Sequence, residues 1–225
     1  MRYMFGGHAT LPVTMLTMAG AGASLAAQHS QSLEAWLCHL PGLKVCMPST
    51  PYDAKGMIIS AARDDNPVIV VLNKVSLAMM GDVPEGSYAI PLGEANIVRP
   101  GDNFTIIAMG RMVHEALAAA EQLKDVGINT EVIDPRTVLP LDLPTIIESV
   151  KKTHRVMIVH EAVRNGGIGG EIAAQIQEEA FDYLDAPVGR VGAPFSPVPF
   201  SPALEAVYVP NAEKITQEAK KLLGV

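Results

Sequence analysis

Few stretches of this sequence hold residue types that could do chemistry. In "LAAQHSQSLEAWL", residues 25–37, His29 follows a run of small residues and precedes an amphipathic segment. An imidazole there is a proton donor and acceptor near neutral pH, a helix cap or filler, and the pattern leaves all three open. "RNGGIGGEIAAQ" follows the strand-like "RVMIVHEA" and opens a helix, which is the context of a phosphate-binding turn. The dinucleotide fingerprint fails, because the position three beyond Gly169 is Ile172. The glycines are read instead as letting the strand enter the helix tightly. His154 and His160 flank that strand with no third ligand marked, whereas catalytic zinc needs three. The serines of "QHSQS" lack the elbow of a hydrolase. "SAARDDNP", residues 60–67, ends a helix on two aspartates. Carboxylates there oppose the macrodipole by about 0.3–1 kcal/mol each unless a cation compensates, and helix-end carbonyls beside Asp64 suit a hard cation.

The elements that must position these residues alternate. Short β-branched runs and longer segments of helical period follow one another, with turn residues between. The first block reads as strand "LPVTMLTM", glycine-rich "AGAGAS", helix "HSQSLEAWLCHL", strand "LKVCMPS", helix "PYDAKGMIISAARD" and strand "PVIVVL". Ser49, Thr50 and Pro51 open the second of these helices as an N-cap followed by an early proline. Residues 73–92 are weakly periodic and hold Gly81, Pro84, Gly86 and Pro91, which places a domain junction there. Beyond it four strands and four helices are expected: "FTIIAMG", "MVHEALAAAEQLKDVG", "INTEVIDPRT", "LPTIIESVKKT", "RVMIVHEA", "GGIGGEIAAQIQEEAFDYL", "VGRVGAP" and "NAEKITQEAKKLL". The class is α/β, with mostly parallel sheets covered on both faces. With three strands the first block is short, so one sheet edge should be open and apolar unless something covers it.

Composition narrows the function classes. The 225 residues are 48% hydrophobic and carry a net charge of −7, which suits a folded protein and leaves no polycationic surface for nucleic acid. Cys38 and Cys46 make neither a disulfide framework nor a zinc knuckle and suit a reducing cytosol. No run of about 20 apolar residues is present to span a bilayer, and the chain is read as cytoplasmic, without membrane or nucleic-acid partners. The eleven methionines are read as flexible packing filler.

Taken together, "RYMFGG", "AAQHSQSLEAW", "PGLKVCMPSTPYDAKGMI", "RDDNPV", "VPEGSYAIPLG", "RMVHEALAAAEQL", "HEAVRNGGIGGEIAA" and "FDYLDAPVGRVGAPFSPVPFSPALE" occur in an order that resembles one family. It is the beta subunit of the thiamine-diphosphate-dependent decarboxylating component of 2-oxo acid dehydrogenase complexes, which act on pyruvate, branched-chain oxo acids or acetoin. The resemblance covers essentially the whole chain. It implies a partial pyrimidine-binding domain, residues 1–85, followed by a transketolase C-terminal-like three-layer α/β/α domain, residues 86–225. Family members run on the order of a hundred residues further at the N-terminus, so the chain is expected to be truncated.

The resemblance also implies site residues. The histidine of "QHSQ", His29, enters the active site from a helix start and meets the arriving lipoyl group, and a helix N-terminus would disfavour its imidazolium. The glutamate that holds N1′ of the cofactor pyrimidine lies in the segment this chain lacks, so no cofactor-binding residue is expected here. Diphosphate and Mg²⁺ are held by the alpha subunit. A potassium ion is implied at Val13, Ala61, Ala62, Asp64 and Asn66, mostly through carbonyls. Implied partners are an alpha subunit, a second beta subunit in a heterotetramer, and the lipoyl-bearing acyltransferase core. Leu16 and Leu72 stand where the family often has arginine and glutamate, and "TLPVTMLTMAGAG" leans toward the acetoin branch. A catalytically inactive docking and dimerisation module is the alternative, and an NAD-binding regulator a weaker third.

Overall fold

The computed structural model describes residues 2–225. The first sheet is built from β1 (Thr14–Ala19), β2 (Lys44–Cys46) and β3 (Val68–Asn73). Around it lie α1 (Ala26–His29), α2 (Glu34–Cys38) and α3 (Pro51–Ala62). The one helix expected over "HSQSLEAWLCHL" is therefore two short ones, broken at residues 30–33. As expected, Thr50 caps α3 by accepting the Asp53 amide at 3.0 Å, with Pro51 in the first turn.

The second sheet holds β4 (Asn96–Arg99), β5 (Phe104–Ala108), β6 (Thr130–Asp134), β8 (Val156–Val163) and β9 (Gly189–Ala193) in the order β4-β6-β5-β8-β9. All pairs are parallel except β4 with β6. Alternation along β5 shows why it is central. Phe104, Ile106 and Ala108 face one core with α4 (Met112–Lys124) and α8 (Ala212–Leu223). Ile107 faces the other, with α5 (Leu143–Thr153) and α6 (Gly169–Ala180). Helices on both faces give the three-layer arrangement. Sequence patterning missed the four-residue edge strand β4 and the seven-residue α7 (Pro202–Tyr208), both too short to establish a period.

The run "INTEVIDPRT" is not one strand. After β6 the chain turns at Pro135 and Arg136, the latter with φ +57°, and β7 (Thr137–Leu139) crosses to pair antiparallel with β2. The first sheet thus reads β1-β3-β2-β7 and borrows its fourth strand from the later half. A buried polar joint fixes the crossing. Arg136 bonds Asp53 at 2.8 Å, and Asp134 accepts from the Ser49 hydroxyl at 2.5 Å. Burial pushes the Asp134 carboxyl up to about 7, with Ser49 and the Arg136 amide working against that rise. Residues 73–92 are more than a linker, since Ile90 is buried against α3, where a Cβ on Gly56 would stand 2.6 Å from it.

The open edge expected of the first sheet is β1, where Met15, Leu16 and Met18 are each more than half exposed. The methionines divide between two environments. Met57, Met109, Met112 and Met157 are core filler, but Met4 and Met80 lie on the surface, as do Met15 and Met18 of β1, whose residues 15–18 are left exposed by the described residues.

Candidate functional site

Positions around His29 are set by the loop that leaves β1. Gly20 and Gly22 take φ +98° and +100°, which glycine tolerates, and Ser24 and Ala26 follow at +54° and +56°, which cost residues with a Cβ about 1 kcal/mol or more. The loop holds this path because its amides are occupied. Ala21 N–H donates to Glu161 Oε1 at 2.6 Å, and Gly22 and Ser24 N–H donate to the two oxygens of Glu205 at 2.7 and 2.8 Å. The second oxygen of Glu161 accepts the Asn73 amide at 2.7 Å. Burial raises the Glu161 carboxyl above its usual range, opposed by the Ala21 amide, the Arg111 charge and Asn73.

His29 is exposed and makes no ring hydrogen bond among the described residues. It closes α1 rather than opening a helix, so the N-terminal field expected from the resemblance does not act on it. The small-residue run "GASLAA" folds as loop and first helical turn, which moves the helix start ahead of the histidine. The helix-cap reading also fails, since Ser30 occupies the C-cap and its hydroxyl is buried without a partner.

The residues that follow His29 in the chain, but not His29 itself, line a cavity of about 240 Å³, bounded by Ser30, Gln31, Trp36, Glu161, Asn165 and Tyr208. Beside it Glu34, 1% exposed, has no partner for either carboxylate oxygen. Burial pushes its carboxyl up to about 7, its own backbone N–H gives partial relief, and Glu161 adds repulsion. Cys38 on the same helix is driven up to about 12 by burial and by Glu34, so this thiol is no nucleophile near neutral pH.

The glycine turn serves the packing of a buried ring. His160, 1% exposed, points its ring at that turn, and a Cβ on Gly167 or Gly169 would come within 2.6 and 2.7 Å of it. Gly192 is equally close from β9, at 2.9 Å. The glycines leave room for a buried neutral imidazole, bonded through Nδ1 to Ala162 O at 3.1 Å and held down to about 4 by burial. His154 caps α5 in the left-handed region and bonds Tyr183 O at 2.8 Å.

The residues implied for potassium gather at the opposite end of β1. Val13 O accepts Val68 N–H at 2.9 Å and Ala61 O accepts Asp64 N–H at 3.2 Å, while Ala62 ends α3. Asp64 accepts both nitrogens of Asn66 at 2.8 Å and pairs with the Lys44 ammonium, which compensates the helix-end charge from within the protein. Among the described residues no group of three His, Cys, Asp or Glu could hold a metal, and no helix is long and apolar enough to cross a membrane.

Glu34, Glu161 and Glu205 escaped sequence analysis. Their signal was an acid inside an apolar run, as in "VMIVHEAV" and "PALEAVYV".

Comparisons with known proteins agree with this architecture. The family described as "Transketolase, pyrimidine binding domain" matches residues 1–80, and "Transketolase, C-terminal domain" matches residues 93–215. The chain is 50% identical over 222 residues to the beta subunit of acetoin:2,6-dichlorophenolindophenol oxidoreductase of Cupriavidus necator, covering 99% of this chain and 66% of that protein. The subunit of the same name from Bacillus subtilis is 49% identical over 223 residues, covering 99% and 65%. A pyruvate dehydrogenase E1 component subunit beta from the same organism is 46% identical over 224 residues, covering 99% and 69%. A solved split-gene transketolase, described as an inactive beta4 tetramer, superposes with a TM-score of 0.79 at 26% identity, covering 96% of this chain and 67% of that one. The chain thus spans about two thirds of the length of the curated relatives it matches.

Proposed function

The chain belongs to the transketolase-type beta-subunit family, and from that premise we propose that it works as the beta subunit of a 2-oxo acid or acetoin dehydrogenase. In that role it contributes to oxidative decarboxylation of a 2-oxo acid, or to acetoin cleavage, with acyl transfer to lipoamide. The observation that carries the reading is the match to beta subunits over 99% of this chain, together with an exposed imidazole, His29, at the end of the short helix that follows a locked loop and one residue before the lining of a cavity. The acetoin branch is favoured by the two relatives of about 50% identity. We keep the division at residues 85 and 86, with Tyr88 and Ile90 as a strap of the later part lying on α3.

Thiamine diphosphate with Mg²⁺ is the cofactor of this reading, and when bound it supplies the carbanion and electron sink for cleavage beside a carbonyl. The acids of this chain near His29 do not fit it alone. Glu34 is sealed from solvent, and Glu161 and Glu205 are spent on backbone amides, so none is free to hold an aminopyrimidine nitrogen. A complete pocket therefore needs an alpha subunit and a carboxylate from outside these residues. We place a second beta subunit, the lipoyl-bearing acyltransferase core and a cytoplasmic setting in the same reading. His29 is the group of this chain that exchanges a proton with the reacting acceptor.

Mixing the chain with acetoin-type and pyruvate-type alpha subunits tests this directly. Association, with thiamine diphosphate binding that neither chain shows alone, is the expected result. Association without cofactor binding would favour the inactive docking module instead.

Potassium remains part of the proposal, carried by carbonyls of Val13, Ala61 and Ala62 with Asp64 and Asn66 closing the site. Lys44 already answers the charge of Asp64, so an ion here would be held by dipoles. Melting in K⁺ should exceed melting in tetramethylammonium by about 3–6 °C at ten times the dissociation constant. Coincident curves would remove the ion.

A further inference from the structure

The loop between β1 and α1 turns its amides toward two carboxylates from the other half of the chain. Glu161 lies in β8 and Glu205 in α7, and together they accept the N–H groups of Ala21, Gly22 and Ser24 at 2.6–2.8 Å. Successive amides converging on an anion form a nest of the kind that binds phosphate. Here the anions are the protein's own. Because Glu161 also accepts the Asn73 amide at the end of β3, a single carboxyl ties β8 to both the loop and its neighbouring strand. The contact is close enough that a Cβ on Gly20 would stand 2.3 Å from Asn73 Nδ2 and 2.9 Å from Glu161 Oε1.

A loop whose alternate residues Gly20, Gly22 and Ser24 all depart into positive φ has no helix or sheet ladder to hold it, and amide bonds to a carboxylate are among the strong ones. The loop runs straight into α1, which ends on His29. Gly20 N–H also donates to Gln31 O at 3.2 Å, closing the segment just past that histidine. Fixing residues 20–24 therefore fixes both ends of the segment that presents the imidazole.

We infer that Glu161 and Glu205 are positioning residues, through which the C-terminal half of the chain sets the path of loop 20–24 and hence the place of His29. The consequence for turnover rests on the proposed role of His29, whereas the clasp is a property of this chain alone. Glutamine substitutes only in part, because each carboxylate here accepts at both oxygens whereas the amide keeps one acceptor and presents an NH₂ donor at the other position.

In the ¹⁵N-labelled 225-residue chain, Glu205→Gln should speed amide exchange about ten- to a hundredfold at whichever of Gly22 and Ser24 meets the new NH₂, and Glu205→Leu at both. Ala21, held by Glu161, should change little, and Glu161→Leu should give the reverse pattern. These variants should shift the His29 ring resonances. Should a variant fail to fold, the native chain decides, since fast exchange at Gly22 and Ser24 there overturns the clasp. In the assembled enzyme Glu205→Gln should lower kcat for acyl transfer with KM for the oxo substrate little changed. Unchanged kcat with freed amides overturns the positioning role. An active His29→Ala enzyme overturns the role of His29 and with it the effect on turnover, while the exchange data still judge the clasp.

Discussion

Replacing Glu34 by methionine is expected to stabilise the chain by about 3 kcal/mol at pH 8.5 and by much less at pH 4.5. The carboxyl is buried, without a partner, and pushed up to about 7 from an ordinary 4.5. A group whose folded value is raised gives its full stability below the unfolded value and loses it as pH rises through the folded one. The window is therefore pH 4.5 to 7, and at about 1.4 kcal/mol per displaced pH unit the loss reaches about 3 kcal/mol. Asp134 titrates in the same direction, and His160, held down to about 4, works the opposite way between about pH 6.5 and 4. Removing Glu34 leaves these two nearly cancelling, so the stability profile of the variant should flatten. Methionine matches the length of glutamate without its charge and adapts to irregular space. Urea unfolding at the two pH values measures the effect, and equal gains at both would mean that the ionised carboxylate finds a partner.

The layered α/β class was legible because short apolar runs such as "FTIIA" and "VIVVL", buried on both faces, take turns along the chain with longer segments of helical period. Caps were legible where one side chain decides them, as at Thr50. The crossing at Pro135–Arg136 was hidden because a continuous β-prone run does not reveal that its two ends serve different sheets. The site was legible only as far as His29. Its position at the close of α1 depends on a loop with positive φ at Ser24 and Ala26, and that path is dictated by acids more than a hundred residues away, at Glu161 and Glu205. Local pattern cannot carry such long-range instruction. The glycines of "NGGIGG" were read as a tight entry into a helix, yet the packing demand behind them, a buried imidazole at position 160, needed three dimensions.

Substituting alanine for His29 in an assembly that binds thiamine diphosphate is expected to lower acyl transfer to lipoamide by about 10²- to 10⁴-fold, the usual worth of a positioned proton-transfer group. Cofactor affinity should hardly change. The structure favours this over a packing role, because the ring is exposed, bonds nothing among the described residues, and caps neither α1 nor α2. Removing an exposed side chain of that kind typically costs within about 0.5 kcal/mol of stability, so melting of the variant should match the parent and any loss of turnover belongs to chemistry. Stopped-flow measurement of lipoamide acylation across pH 5.5–8.5 adds a second criterion, since a proton-transfer imidazole imposes a limb on the parent profile that alanine abolishes. A flat parent profile, or full turnover in the variant, would return the imidazole to the surface. The polar side chains left to act in the cavity would then be those that line it, Ser30, Gln31, Ser32, Glu161, Asn165 and Tyr208.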